Sequence, residues 1–349
     1  MTKNIRLSGN EKLILISNIQ TMLQAGIPIL EVVDSMLEDA RGNQKVILVA
    51  LKEDLNQGKA IYSSFERFPQ AFDPITINLI KAAEEAGTLD ETLKDLVENI
   101  TKDIEFSGKI KAALVYPILV VVIFFSVLIL ILTFVIPRVA DVFSRLKIQL
   151  PLPTKILIAA SNLVTSYTIL IIFACALFAF GVFVLWRTQR QKFLNVVFSL
   201  PLLSRLAREI DLTRFSRSMS LLLSSGIPIT DSLELSKNVV NKKELQLTIA
   251  NSLTLVSSGK KLSVGLKKSK EKIPSIVTRI TEAGEKSGTL EKSMQDLANY
   301  FDSQVANTLK GVTTLFEPIL LVVVGLMVGG VMLAIIAPIY GLISQIGGR

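Results

Sequence analysis

ILIAASNLVTSYTILIIFACALFAFGVFVLW, Ile156 to Trp186, decides how this chain is arranged. It holds no Asp, Glu, Lys or Arg, and from Ile169 onward it is almost wholly apolar. A helix needs roughly 20 apolar residues to cross a hydrocarbon core about 30 Å thick, so this run is long enough to span a bilayer. It is also the one long element with no second copy elsewhere in the chain. On each side of it stands a version of a single unit, a helical block followed by an apolar run.

The duplication is visible residue by residue. Leu23, Gly26, Ile27, Pro28 and Ile29 recur as Leu223, Gly226, Ile227, Pro228 and Ile229, with Glu31 facing Asp231. Gly58-Lys59 recurs as Gly259-Lys260. Glu84, Gly87, Thr88, Leu89 and Asp90 recur as Glu285, Gly288, Thr289, Leu290 and Glu291. Pro117-Ile118-Leu119 recurs as Pro318-Ile319-Leu320, and Pro137 as Pro338.

Half of the 349 residues are hydrophobic, and the mean hydropathy of +0.50 is high for a soluble protein. The excess sits in three uncharged runs, Ala112 to Ile136, Ile156 to Trp186 and Ile319 to Ile336. Met1 to Asn10 carries Lys3 and Arg6 with no apolar core behind them, so it does not read as a secretory signal. The single cysteine, Cys175, lies inside the second run and reads as a small apolar side chain. The chain contains no histidine. Ser-His, Cys-His and zinc chemistries are therefore excluded, and no metal or cofactor is expected.

The first block reads as helices. Leu13, Ile16, Ile19 or Gln20 and Leu23 recur at helical spacing. Gly26 stops that helix and Pro28 suits the opening of the next, striped by Ile29, Val32, Val33 and Met36. A third helix covers about Gln44 to Asn56, and shorter ones cover about Ile61 to Arg67 and Pro74 to Glu85, before Gly87. Thr88 and Glu91 have the spacing of a capping box for a long helix running towards the membrane. In the second block Lys292 stands where the reciprocal acid would be.

Two direct copies face the same way only if one further span brings the chain back, and Ile156 to Trp186 does that. Lys109, Lys111, Arg187, Arg190, Lys192 and Lys310 flank the spans on the block side, against Arg138, Arg145, Lys147 and Lys155 on the other, which puts both blocks in the cytoplasm. The expected organisation is a flexible 1–9, a first bundle over 10–111, a span over 112–137, an external loop over 138–155 and a return span over 156–186. A second bundle over 187–312, a third span over 313–338 and an external 339–349 complete it. Residues 1–111 hold 13 Lys+Arg against 17 Asp+Glu, and residues 187–312 hold 20 against 11. That asymmetry suits either attraction of the second block to anionic lipid or a division of labour, in which the blocks dock together or bind different partners. No aromatic-interleaved basic patch points to direct nucleic-acid binding.

Gly58-Lys59-Ala60 and Gly259-Lys260-Lys261 both lack the residues of a phosphate-binding loop. Any ATP must be hydrolysed by another subunit. The acidic turns Glu84-Glu85 before Gly87, and Glu282 with Glu285 before Gly288, admit three readings: paired catalytic or metal-binding carboxylates, a solvated helix face, or a recognition turn used twice. Glu317, before Pro318, either reaches headgroup water or forms an ion pair at the membrane edge.

The Gly-Ile-Pro-Ile breaks, the Glu-Glu-Ala-Gly-Thr-Leu and Glu-Lys-Ser-Gly-Thr-Leu turns, and the Tyr-Pro and Glu-Pro span entries resemble the inner-membrane platform proteins of type II secretion systems and type IV pili, the type II secretion system F family. The resemblance runs from about Gly9 to Pro338, with no counterpart to the family's extra N-terminal segment. It implies an all-α membrane protein with two homologous cytoplasmic six-helix bundles and three transmembrane helices. It implies a non-enzymatic scaffold in the inner membrane, oligomeric, engaging a hexameric assembly ATPase, pilin-like subunits and inner-membrane alignment proteins. A small polytopic transporter is the alternative, but it wants ionisable groups in mid-membrane and none of the three runs has one. A membrane-anchored receptor would need a larger external sensor.

Overall fold

The computed structural model describes residues 5–145, 152–167, 177, 201–269 and 273–346. Among these residues there are helices and no strands. The first copy forms α1 Gly9–Gln24, α2 Ile29–Asp39, α3 Gly42–Asn56, α4 Ile61–Glu66, α5 Pro74–Ala86 and α6 Leu89–Leu130. A π-helical turn, Ile131–Val135, leads into α7, Ile136–Arg145, and α8 covers Leu152–Ser166. The second copy forms α9 Pro201–Ser224, α10 Ile229–Lys237, α11 Lys243–Ser257, α12 Leu262–Lys267, α13 Ser275–Ser287 and α14 Leu290–Ile346. The helices of the second copy therefore repeat those of the first in order, and α11, α12 and α13 match α3, α4 and α5 in length.

The helix ends follow the local chemistry. Pro28 and Pro228 precede α2 and α10, and their carbonyls accept the Val32 and Ser232 amides at 3.0 and 2.9 Å. Gly87 and Gly288 close α5 and α13 in the left-handed region, each at φ 72°, where a side chain would be strained. Thr88 and Thr289 begin the long helices through their backbone carbonyls, which accept from the Thr92 and Ser293 amides. The capping box with both of its bonds in place lies elsewhere, at Ser8 and Glu11, opening α1.

The chain divides into two compact units. The first comprises Met1–Lys109 and Ser204–Asn307, so both blocks belong to it. Its larger core joins Leu15, Ile16 and Ile19 of α1 to Val32, Val33, Ile47, Leu51, Leu79, Ile80, Leu93 and Leu96, with Phe65 and Phe72 stacked at 4.2 Å between ring centres. Leu221, Leu222 and Ile227 of the second copy are buried in this same cluster. A second core gathers Leu212, Phe215, Met219, Leu233, Ile249, Leu262, Leu266, Val277, Met294, Leu297 and Phe301. It is the more polar of the two: fully buried Ser216, Ser232 and Thr281 stand where the first copy has Ile16, Val32 and Ile80. Gly265 is required there, because a Cβ on it would sit 2.8 Å from the Ser252 Cα.

The second unit comprises Ile110–Leu203 and Thr308–Arg349. Its first and third apolar runs are helical and expose Ile118, Leu119, Val122, Phe125, Leu321, Val322, Leu326 and Leu333. A bare aliphatic surface of this kind is stable only in lipid, and the protein is an all-α membrane protein. Neither Pro137 nor Pro338 stops its helix. Helix continues to Arg145 after the first and to Ile346 after the second. Of the return run, α8 holds the beginning; Cys175, Trp186 and the basic cluster Arg187, Arg190 and Lys192 lie outside the described residues.

Candidate functional site

The two acidic turns carry one device, built twice. The short helices α4 and α12 start after Ala60 and Lys261, neither of which caps its helix with a side chain. Their first free N–H groups are taken instead by a carboxylate from the neighbouring helix. Glu84 on α5 accepts from the Ile61 amide at 2.8 Å and the Tyr62 amide at 3.2 Å. Glu285 on α13 accepts from the Leu262 amide at 2.5 Å and the Ser263 amide at 3.2 Å. A carboxylate spanning two amides at a helix N-terminus satisfies both orphan donors and complements the helix dipole. Glu84 and Glu285 are thus half-buried and engaged within their own bundles.

Their neighbours face water. Glu85, Gly87 and Gly288 are exposed. Glu282 pairs with Lys286 at 2.8 Å, and the ammonium holds the Glu282 carboxyl below its usual range. Each turn therefore presents a surface acid next to a tight glycine stop. Among the described residues, no group of three or more acidic or cysteine side chains is placed to hold a metal ion. Glu317 is exposed on α14.

A second constellation joins the copies, and sequence reasoning missed it. Arg217 on α9, with only 9 % of its side chain exposed, lies 3.3 Å from Asp103 on α6 and 3.9 Å from Asp302 on α14. Its guanidinium also lies over the Phe106 ring, 5.3 Å from the centre. Lys109 of the first copy reaches Asp302 at 3.2 Å. Beside Arg217 runs a polar cleft of about 240 Å³, lined among others by Asp95, Glu98, Lys102, Ser220 and Gln295. Burial, reinforced by the charge of Glu98, pushes the Asp95 carboxyl up. The available signal was an arginine set among residues of helical core spacing in Leu212, Phe215 and Met219.

The repeat, the spans and the twin turns coincide with a known family. The family described as type II secretion system (T2SS), protein F, matches twice, over residues 15–137 and 215–338. The chain belongs to this family. The matches leave out the return span, the element without a copy, and end on the homologous Pro137 and Pro338. Among curated proteins the chain is similar to a type IV pilus assembly protein of Thermus thermophilus, 28 % identical over 93 % of this chain and 81 % of the relative. A type IV pilus assembly protein of Pseudomonas aeruginosa is 26 % identical over 94 % of this chain and 88 % of its own length. The type II secretion system protein F of the same species is 26 % identical over 98 % of this chain and 85 % of its own length.

Proposed function

We propose that this F-family protein is the non-enzymatic inner-membrane platform of a type IV pilus or type II secretion-like machine. In this reading both bundles lie in the cytoplasm and couple an assembly ATPase to the extraction and polymerisation of pilin-like subunits. Alignment proteins of the inner membrane, surrounding lipid and further copies of the chain are its other contacts. The single observation that carries the reading is the duplication itself: two bundles, each leading into its own apolar helix, each with an acidic turn at the same place. The missing phosphate-binding loop and the absence of histidine support a transmitter of motion rather than a motor. The docking surface is assigned to the exposed parts of the turns, Glu85 with Gly87 and Glu282 with Gly288, while Glu84 and Glu285 hold the turns in shape. Glu317 is the candidate for an ion pair with a partner segment at the membrane edge.

The test is co-purification of the full-length protein, in detergent, with a hexameric assembly ATPase of the secretion or pilus type from the same organism. Glu85→Lys together with Glu282→Lys is expected to abolish capture of the ATPase while leaving the melting temperature of the platform unchanged. Undiminished capture by the double variant removes the turns from the interface. Absence of any capture by the native chain removes the coupling role.

A further inference from the structure

Proline has no N–H, so inside a helix it leaves one carbonyl of the preceding turn without its donor. In a bilayer such a carbonyl finds no water, and something else must donate to it. In α14 the group orphaned by Pro338 is the carbonyl four residues back, Ala334. Thr154 on α8 donates its hydroxyl to that carbonyl at 2.8 Å, with Thr154 and Ala334 each only 2 % exposed. In the first copy the π turn shifts the register by one. The Ile136 amide donates to Ile131, five residues back. The next amide in that register would reach Leu132, but the next residue is Pro137. The Leu132 carbonyl is the one to which Ser161 on α8 donates, at 2.5 Å, from a fully buried side chain.

Thr154 and Ser161 are seven residues apart, two helical turns, and so lie on one face of α8. Each reaches the carbonyl that a homologous proline sets free. We propose that Thr154 and Ser161 are positioning residues: one face of the unduplicated helix α8 supplies the missing donors to the proline breaks of both duplicated spans and so pins the two copies to one another. The return span thereby does more than reverse the chain, since the ladder of each copy is completed only through α8. Thr133 donates to the Ile129 carbonyl, at 2.8 Å, in the same turn of the first span and leaves the Leu132 carbonyl to Ser161.

A double-mutant cycle on the full-length protein tests this, with reversible unfolding in mixed micelles followed by circular dichroism. Thr154→Val keeps the shape and removes the hydroxyl. It is expected to raise the unfolding constant about threefold, the effect of one hydrogen bond between membrane helices. Thr154→Ser keeps the donor and is expected to restore most of that loss. In a Pro338→Ala background the restored N–H serves Ala334 itself, and Thr154→Val is expected to have no effect. Ser161→Ala with Pro137→Ala forms a second, independent cycle and decides the matter if Pro338→Ala does not fold. Equal losses with and without the proline, in either cycle, would mean that the hydroxyls only fill space, and the proposal fails.

Discussion

Asp54 is almost wholly enclosed, with 4 % of its side chain exposed, and it keeps its charge because three donors surround it. Lys59 lies at 2.9 Å, Arg67 at 2.8 Å and Ser64 at 2.9 Å. Lys59 foremost, then Arg67 and Ser64, outweigh the cost of burial and lower the pKa from 3.8 to about 2. A carboxylate whose folded pKa is depressed stabilises the fold above its unfolded pKa, and that contribution is lost as pH falls from 4 towards 2. Asp54→Asn is therefore expected to flatten acid unfolding across that window and to cost about 1–3 kcal/mol at neutral pH, measured by denaturant titration. The second copy has Leu255 at this position, so the cluster is private to the first. The converse applies to Thr281, whose hydroxyl is buried with no hydrogen-bond partner among the described residues. Thr281→Val keeps the volume and removes the unpaired group, and is expected to raise stability by about 1 kcal/mol in the same titration. Pairing the copies by sequence exposes both asymmetries. It does not show which hydroxyls find partners, because that depends on packing between α-helices distant in the chain.

At the scale of elements, Glu84 and Glu285 act as caps supplied from outside the helix they serve. Glu84→Gln and Glu285→Gln are each expected to cost about 1 kcal/mol, the ordinary worth of an N-cap. Amide exchange should accelerate at Ile61 and Tyr62 in the first variant and at Leu262 and Ser263 in the second, and nowhere else to the same degree. Unchanged exchange at those amides would remove the cap from the account. Glycine and proline made most helix boundaries legible, since Gly26, Gly87, Pro28 and their copies impose backbone conformations that no neighbour overrides. The caps were less legible. Thr88 and Glu91 have the spacing of a box, yet the bonds that open α6 are backbone ones, and Ser8 with Glu11, which do form a box, precede a less obvious stripe. The prolines at the far ends of the spans interrupt the backbone ladder without ending the helix, for a physical reason. In water a proline tends to end a helix, but in hydrocarbon a helix that ends exposes its whole last turn, so the ladder continues past the break and a neighbouring hydroxyl fills the gap.

For the whole molecule, the decisive fact is that the two blocks fold as one unit, with Leu221, Leu222 and Ile227 of the second copy buried in the core of the first. At the matching positions the first copy has Thr21, Met22 and Ile27, so only Leu221 is replaced there by a polar residue. Beside this apolar contact, the polar contacts between the copies gather at Arg217. Its fork meets Asp103, its plane covers Phe106, and Asp302 shares it with Lys109. Arg217→Ala is expected to destabilise the unit by about 2 kcal/mol, less than for a fully enclosed pair because Asp103 is open to solvent. Arg217→Lys should recover only part, since an ammonium cannot engage the carboxylate and the ring face together. In a cycle with Asp103→Ala the two losses should be smaller together than apart, and the coupling should shrink with added salt. Strict additivity would show that Arg217 stabilises its own copy alone, and the joint between the blocks would then rest on the apolar contact of Leu221, Leu222 and Ile227.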